Sequence, residues 1–338
     1  MRVLVVKMSS LGDVIHTLPA LTDARQALPG VCFDWVVEEA FAEIPGWHSA
    51  VDNVIPVALR RWRRQLLRAA TRREWGRARA QLRARDYDAV IDAQGLLKSA
   101  FICRQVAAPS YGMDRRSARE GLAALAYDHP VAVPRDMHAV ERTRLLFSRG
   151  LHYAPPHTRG DYGLLVESAA GTAAAEPLAP GLLFFHGTAR DEKLWPEDHW
   201  VALAELAGAA GYCQWLPWGS EAERQRALRI AARCSSARVL PRQSLTGLAG
   251  MLRQVPAAVA VDTGLGHLAA ALDVPTVSLY GPTSTSLVGA YGRNQVHIQS
   301  PLGRGVKGGD AAALMAAITP AAVWRALQGL LPAPAGAP

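Results

Sequence analysis

Short runs of β-branched and leucine side chains recur along this chain, each followed by a small polar loop and then by a helical pattern. The first run is Arg2-Val3-Leu4-Val5-Val6. It has no polar alternation, which predicts a strand buried on both faces of a parallel sheet. A helical pattern follows from about residue 13 to 28; Pro19 should kink or divide it, and Pro29-Gly30 should stop it. Further strands are predicted at 33–37, 54–57 and 87–92. The stretch between the last two reads as helical in part, with Trp62, Leu66, Leu67 and Trp75 on its apolar side. The pattern dissolves between about 151 and 180, where prolines and a run of small residues mark a linker. It then restarts, with strands at 182–185, 212–216, 238–240, 257–261 and 276–280. Helices are predicted at 197–209, 222–233 and 245–252, and a last one at 320–331. Strands alternating with helices at this spacing predict doubly wound parallel sheets. The expected organisation is an α/β domain over 1–160, a second over 161–319, and a C-terminal helix and tail over 320–338 that is free to pack back on the first.

Half of the 338 residues are hydrophobic, enough to build substantial cores and to exclude wholesale disorder. No run approaches the roughly 20 apolar residues of a membrane span. Met1 leads straight into a strand, without the basic-then-apolar pattern of a secretion signal. Cys32, Cys103, Cys213 and Cys234 lie far apart, which suits reduced thiols in a cytosolic protein. The formal charge of +8 comes almost entirely from arginine. Between Arg60 and Arg85 there are eleven arginines against a single acid, Glu74. A block of that kind implies an anionic partner: nucleic acid, a membrane surface or a phosphorylated substrate. Its alternative is a solvated helix face inflated by base composition.

In an open α/β sheet, ligands bind at the carboxyl ends of the strands. Asp13 stands at such a junction, after the first strand. It is placed either to work as a carboxylate or merely to cap the helix, as Ser10 also could. Three polar loops follow strands in the second half: 186–196, 217–223 and 262–267. Thr263, Gly264 and the amides opening the next helix suit an anion, because helix N-termini leave N–H groups unpaired. Lys193 offers a mobile point charge for a phosphate. Glu223, an acceptor-only carboxylate, suits a ribose diol. His267, on an apolar helix, reads equally as a core histidine. The chain has no glycine-rich phosphate loop and no motif that demands a metal.

Several of these segments together resemble glycosyltransferase family 9. They are the Gly12-Asp13 loop, Lys193-x-Trp195-Pro196, Pro217-Trp218-Gly219 with Glu223, Asp262-Thr263-Gly264-Leu265-x-His267 and Tyr280-Gly281-Pro282-Thr283. Trp35 to Glu39, Arg60 to Arg63, Asp92 to Gly95 and His138 to Arg144 add to the likeness, which runs along almost the whole chain. Ala189 and Gly266 depart from the family pattern, which tends to carry hydroxyl residues there. The resemblance implies a GT-B architecture, two facing Rossmann-like domains with an active-site cleft between them. It implies heptose transfer with inversion from ADP-heptose to the Kdo region of Kdo2-lipid A or its precursor, in assembly of the lipopolysaccharide inner core. Asp13 is then expected as the base and Lys193 as the group that stabilises the departing diphosphate. Thr188, Lys193, Glu223, Gln243, Asp262, Thr263, Gly264 and His267 are expected to hold the donor. Ser10, Arg60, Arg61, Arg63, Arg64 and Arg119 are expected to hold the acceptor. Neither a cofactor nor a resident metal is implied, Mg²⁺ being at most stimulatory. A cytoplasmic enzyme working at the inner-membrane surface is expected, with Trp62 placed at the boundary of water and lipid.

Three other readings compete. An RNA-binding protein would explain the arginine block but leave Asp13, Glu223 and Asp262 without purpose, so nucleic acid is not expected as a partner. A nucleotide-sugar epimerase would share the donor site but has no need of the block. Another heptosyltransferase of the same pathway would share everything but the acceptor.

Overall fold

The structure, a computed structural model, describes residues 1–65, 67–165, 181–303 and 311–332. Leu66 and most of the expected linker lie outside them. The chain divides into two units, Met1–Leu165 and Val166–Pro338. The first runs slightly past residue 160 because Leu164 bridges His48 and the Leu165 amide donates to the Trp47 carbonyl.

The first unit carries β1 (Arg2–Val6), α1 (Leu11–Ile15), α2 (Leu18–Ala27), β2 (Cys32–Glu38), β3 (Val51–Val57), α3 (Leu59–Trp62), α4 (Ala69–Leu82), β4 (Ala89–Asp92), α5 (Leu97–Cys103), β5 (Ser110–Met113), β6 (His129–Val131) and α6 (Ala139–Gly150). Among the described residues these strands form one parallel sheet in the order β3-β2-β1-β4-β5-β6. Val3, Leu4, Val5 and Val6 have no exposed surface, as a central strand covered on both faces requires. Pro19 divides the first helical stretch as expected, since it becomes the second residue of α2, where its missing N–H costs nothing. The Arg144 guanidinium, itself buried, ties α6 to α2 through buried Asp23, with Nε 2.6 Å from Oδ2.

The second unit carries β7 (Gly181–Phe185), α7 (Glu197–Ala209), β8 (Cys213–Leu216), α8 (Glu221–Ala231), β9 (Ala237–Val239), α9 (Leu245–Leu252), β10 (Ala258–Val261), α10 (Gly264–Ala271), β11 (Thr276–Tyr280), α11 (Thr285–Val288), β12 (Gln295–Gln299), α12 (Ala311–Ala316) and α13 (Pro320–Gln328). Its parallel sheet runs β12-β11-β10-β7-β8-β9, the same winding as the first. The last helix, α13, buries Val323 and Leu327 in the core of this second unit, beside Trp200 and Leu203.

Each sheet reverses its strand order once, between β1 and β4 in the first unit and between β7 and β10 in the second. The crevice outside the carboxyl ends of the strands at such a reversal is where doubly wound sheets bind ligands. The loops after these four strands are therefore the places to look for chemistry.

Candidate active site

The loop after β1 is fastened by the loop after β4. Gln94 accepts from the amides of Met8 and Ser9 at 2.9 and 3.0 Å and donates back to the Ser9 carbonyl at 2.7 Å. Gln94 is held in turn by Asp92, whose Oδ1 accepts from the Gln94 and Gly95 amides while Oδ2 accepts from the Tyr127 hydroxyl. On this base stands Asp13, at the third position of α1. Its Oδ2 accepts from both the amide and the hydroxyl of Ser10, each at 2.8 Å. Asp13 thus does close the helix N-terminus, and its carboxylate nonetheless sits at the edge where ligands enter. Ser10, expected to touch the acceptor, gives its hydroxyl to Asp13.

Lys7 is the member of this site that sequence reasoning left unassigned. It is buried, with Nζ donating to the Ala93 carbonyl at 2.8 Å. Burial pulls its pKa down, and the carboxylates of Asp13 and Asp92 pull it back up. Arg142 and Arg119 act against it electrostatically, and the Arg119 backbone lies against Gly95 in the loop after β4. Lys7 was hard to find because a lysine ending a strand ordinarily points into water; only the sheet shows that it cannot.

The arginine block folds as α3, a turn and α4, and its members separate. Arg61 is locked between two carboxylates: it binds Glu39 through Nε and Nη2, and Glu74 lies 2.9 Å from Nη2. Trp62 is a correction. It is buried in the first unit's core and donates Nε1 to Glu74 at 2.6 Å, so it does not stand at a lipid boundary. Trp62 ends α3 and turns inward against Trp75 of α4, the rings edge-on with centres 6.0 Å apart. Arg60 lies over the Phe41 ring, 5.9 Å from its centre. Arg63 and Arg64 are exposed.

In the second unit, Trp195 anchors the loop after β7. It has no exposed surface, packs edge-on against Trp200 and donates Nε1 to the Ile318 carbonyl at 2.9 Å. This fixes the 3-10 turn Asp191–Lys193 at the sheet edge. From it Lys193 reaches Asp262 in the loop after β10, Nζ to Oδ2 2.5 Å. The Thr188 hydroxyl donates to the Asp262 carbonyl at 3.0 Å, joining the same two loops. Thr263 is the N-cap of α10, and its own side chain makes no cap hydrogen bond. The first amides of α10 follow directly on Asp262, beside its pair with Lys193, and carry the helix's partial positive charge. Gly266 and His267 are buried inside α10, and a Cβ at Gly266 would lie 3.1 Å from that of Ala260.

Glu223 stands at the third position of α8, in a reciprocal box with Ser220. Its Oε2 accepts from the Gly219 and Ser220 amides at 2.7 and 3.1 Å, while Oε1 lies against Gly187 of the β7 loop. Trp218 ties the loops after β8 and β9 by donating to the Leu240 carbonyl at 2.7 Å. Gln243 follows in that second loop, its Nε2 on the Pro241 carbonyl at 3.1 Å. The second unit's carboxyl edge thus gathers a lysine, a helix start and a fixed carboxylate. The lysine and the helix start suit an anion, and the carboxylate can accept from hydroxyls.

Comparison with known proteins identifies the family. The model of glycosyltransferase family 9 (heptosyltransferase) matches residues 75–309. Lipopolysaccharide heptosyltransferase 1 of Pseudomonas aeruginosa is 58% identical over 301 residues, 89% of this chain and 84% of its own. The protein of the same name from Escherichia coli K12 is 50% identical over 304 residues, 89% of this chain and 94% of its own. The solved structure of E. coli heptosyltransferase WaaC with ADP matches with a TM-score of 0.88 at 46% identity, across 98% of this chain and 100% of that one. A likeness this close, sustained along nearly the whole length, means that the chain belongs to glycosyltransferase family 9 and has its GT-B fold.

Proposed function

We propose that this protein transfers L-glycero-D-manno-heptose from ADP-heptose to the Kdo region of Kdo2-lipid A, in assembly of the lipopolysaccharide inner core. The observation that carries the reading is the second unit's ligand edge. Its relative of known structure is described with ADP and, in a second structure of TM-score 0.85, with ADP-2-deoxy-2-fluoro heptose. Four relatives named heptosyltransferase 1 match at 50–58% identity over 89% of the chain, and a fifth, from Campylobacter coli, at 23% over 84%. Those named heptosyltransferase 2 match at 33–36% over only 27%. This favours the first addition over the second.

In this reading the acceptor hydroxyl oxygen bonds to the anomeric carbon as the bond from that carbon to the ADP oxygen breaks. The hydroxyl proton passes to the Asp13 carboxylate, and the electron pair leaves with ADP. Lys193 and the first amides of α10 stabilise the charge that grows on the diphosphate. Asp262, Gln243, Thr188 and His267 orient the donor, and Glu223 takes the ribose hydroxyls. The reaction needs no resident metal, because lysine and helix start cover the leaving group. Arg60, Arg63, Arg64 and Arg119 receive the acceptor's carboxylates and phosphates. Arg61, saturated by Glu39 and Glu74, braces α3 instead. The enzyme works at the cytoplasmic face of the inner membrane, where its acceptor resides.

The test is incubation of the purified protein with ADP-heptose and Kdo2-lipid A, with and without chelator, followed by mass spectrometry. One added heptose is expected in both. No transfer to this acceptor, with transfer to an already heptosylated one, would move the protein to a later step. Activity lost in chelator and restored by Mg²⁺ would overturn the metal-free leaving-group assignment.

A further inference from the structure

Apolar residues of the first unit that ought to be covered are bare. Leu125 is 81% exposed and Leu122 57% exposed, both in the 3-10 turn Gly121–Ala126. Leu97 and Phe101, one turn apart on α5, are 52% and 55% exposed. The two segments are neighbours. Ala100 of α5 packs against Ala123 and Ala124 of the turn, and the Leu97 amide donates to Glu120 at 2.7 Å. Phe101 also stacks on Trp75 of α4, ring centres 5.7 Å apart. The Leu67 carbonyl accepts from Arg72 on that helix, and Leu67 itself is 92% exposed.

Apart from exposed Glu120, which accepts from the Leu97 amide, the charged residues named around them are cations. Arg72 stands one helical turn before Trp75, Lys98 follows Leu97, and Arg115 lies against Gly121 at the start of the leucine-bearing turn. Single exposed leucines are ordinary, but a contiguous group framed by basic side chains marks a docking surface. A second copy of this chain is a poor occupant, because two such faces would bring arginine against arginine. An interface of apolar side chains with a cationic margin suits an anionic bilayer, with the leucines and phenylalanine among the upper acyl chains and the cations at the headgroups.

We propose that α5 and the Gly121–Ala126 turn, with the α4 face beside them, form the surface by which this protein inserts shallowly into anionic membrane. The idea rests on the reading that its acceptor is a membrane glycolipid, and it differs from a purely arginine-based grip. It also explains a piece of geometry. α5 begins just beyond Gln94, the residue that clamps the Asp13 loop. Docking through α5 would hold the base beside the membrane from which the acceptor must emerge.

The experiment is cosedimentation with vesicles of phosphatidylcholine alone and of phosphatidylcholine with phosphatidylglycerol, comparing wild type with the double substitution Phe101→Ser and Leu125→Ser. Binding of wild type to the anionic vesicles, and a fall of roughly tenfold or more in partition of the variant, is expected. Lys98→Gln with Arg115→Gln should weaken binding at low salt, leaving a residue of binding that salt does not remove. ADP affinity, measured by calorimetry, should match wild type in every variant and reports that the protein is folded. Heptose transfer to acceptor in detergent micelles is measured separately. If wild type transfers heptose but the serine variant binds vesicles as well as wild type does, the surface is misassigned while the enzymatic reading stands. Concentration-dependent dimerisation abolished by Leu125→Ser, with no vesicle binding, would overturn the proposal in favour of a second copy.

Discussion

Nζ of Lys193 lies 2.5 Å from Oδ2 of Asp262, joining the loops after β7 and β10 across the strand reversal of the second unit. Both side chains are largely shielded from water. A diphosphate entering here must draw the ammonium toward itself, so the pair holds the lysine in place while it waits. Lys193→Ala should weaken ADP binding about 10- to 100-fold, the worth of a charge-assisted bond. It should also lower kcat, since the charge counts most as the diphosphate leaves. Asp262→Asn should leave ADP affinity equal or better, yet slow heptose transfer. Calorimetry with ADP and steady-state kinetics separate the two, and unchanged ADP affinity in Lys193→Ala would remove the lysine from the site.

Asp13 closes α1 and is also the proposed base, so the choice of substitution matters. Alanine would remove the cap as well, at about 1 kcal/mol of stability. Asparagine keeps an oxygen for the Ser10 donors but cannot take a proton. Asp13→Asn should therefore keep its melting temperature and its ADP affinity while kcat falls roughly 10²–10⁴-fold. A kcat within tenfold of wild type would assign Asp13 to capping alone.

The central strands and the helices flanking them were plain in the sequence because runs such as Leu182 to Phe185 and Ala258 to Val261 are apolar on both faces. The strands β5, β6 and β12 were not. β5 is only four residues long, and its Gly112 is there to let the Tyr127 ring close on it: a Cβ would lie 2.3 Å from that ring. β6 carries Pro130, which reads as a loop and is tolerated only at a sheet edge. β12, a half-buried edge, was missed because its Gln295, His297 and Gln299 break up the apolar run. For the site, loop residues at strand ends could be picked out by position. Their pairing could not: neither the Lys193–Asp262 contact nor the burial of Lys7 follows from spacing, because each joins segments distant in sequence. The arginine block was misleading in the same way, since Glu39, which holds Arg61, comes from the end of β2.

His48 gives the first unit an acid-sensitive point. It is buried, its Nδ1 accepts from the Ala50 amide at 3.1 Å, and its Nε2 lies 3.0 Å from the Thr22 hydroxyl. Nδ1 as acceptor fixes the neutral ring with its proton on Nε2, donated to Thr22. Burial pushes the pKa down to about 4 from an ordinary 6.5. The folded state therefore holds the neutral form while the unfolded chain binds a proton, so this contribution is complete above pH 6.5 and is lost as pH falls toward 4. The loss should reach roughly 2 kcal/mol by pH 5. His186, also buried and likewise brought to about 4, adds a similar slope in the second unit. Urea unfolding at pH 7 and pH 5 measures the total. His48→Gln, which does not titrate, should be less stable at pH 7 but lose less on acidification. An equal loss in variant and wild type would show that His48 does not carry the effect.

Gly187 owes its identity to Glu223. A Cβ at position 187 would lie 2.6 Å from Oε1 of Glu223, 2.7 Å from Cδ and 2.8 Å from Cγ, closer than real contacts allow. Glu223 cannot simply swing aside, because Oε2 is held by the amides of Gly219 and Ser220. Gly187→Ala must therefore displace the carboxylate from its cap or push the β7 loop away from it. In either case the ribose site proposed for Glu223 is spoiled, and ADP affinity should fall by roughly tenfold, the worth of a hydrogen bond to a charged group. The fall should travel through Glu223. In a double-mutant cycle, Gly187→Ala added to Glu223→Ala should cost little beyond Glu223→Ala alone, because the clash has gone with the side chain. ADP lacking both ribose hydroxyls should be bound almost alike by wild type and by both single variants. Additive losses in the cycle, or equal losses for the deoxygenated nucleotide, would show that Gly187 acts on the site by another route than Glu223.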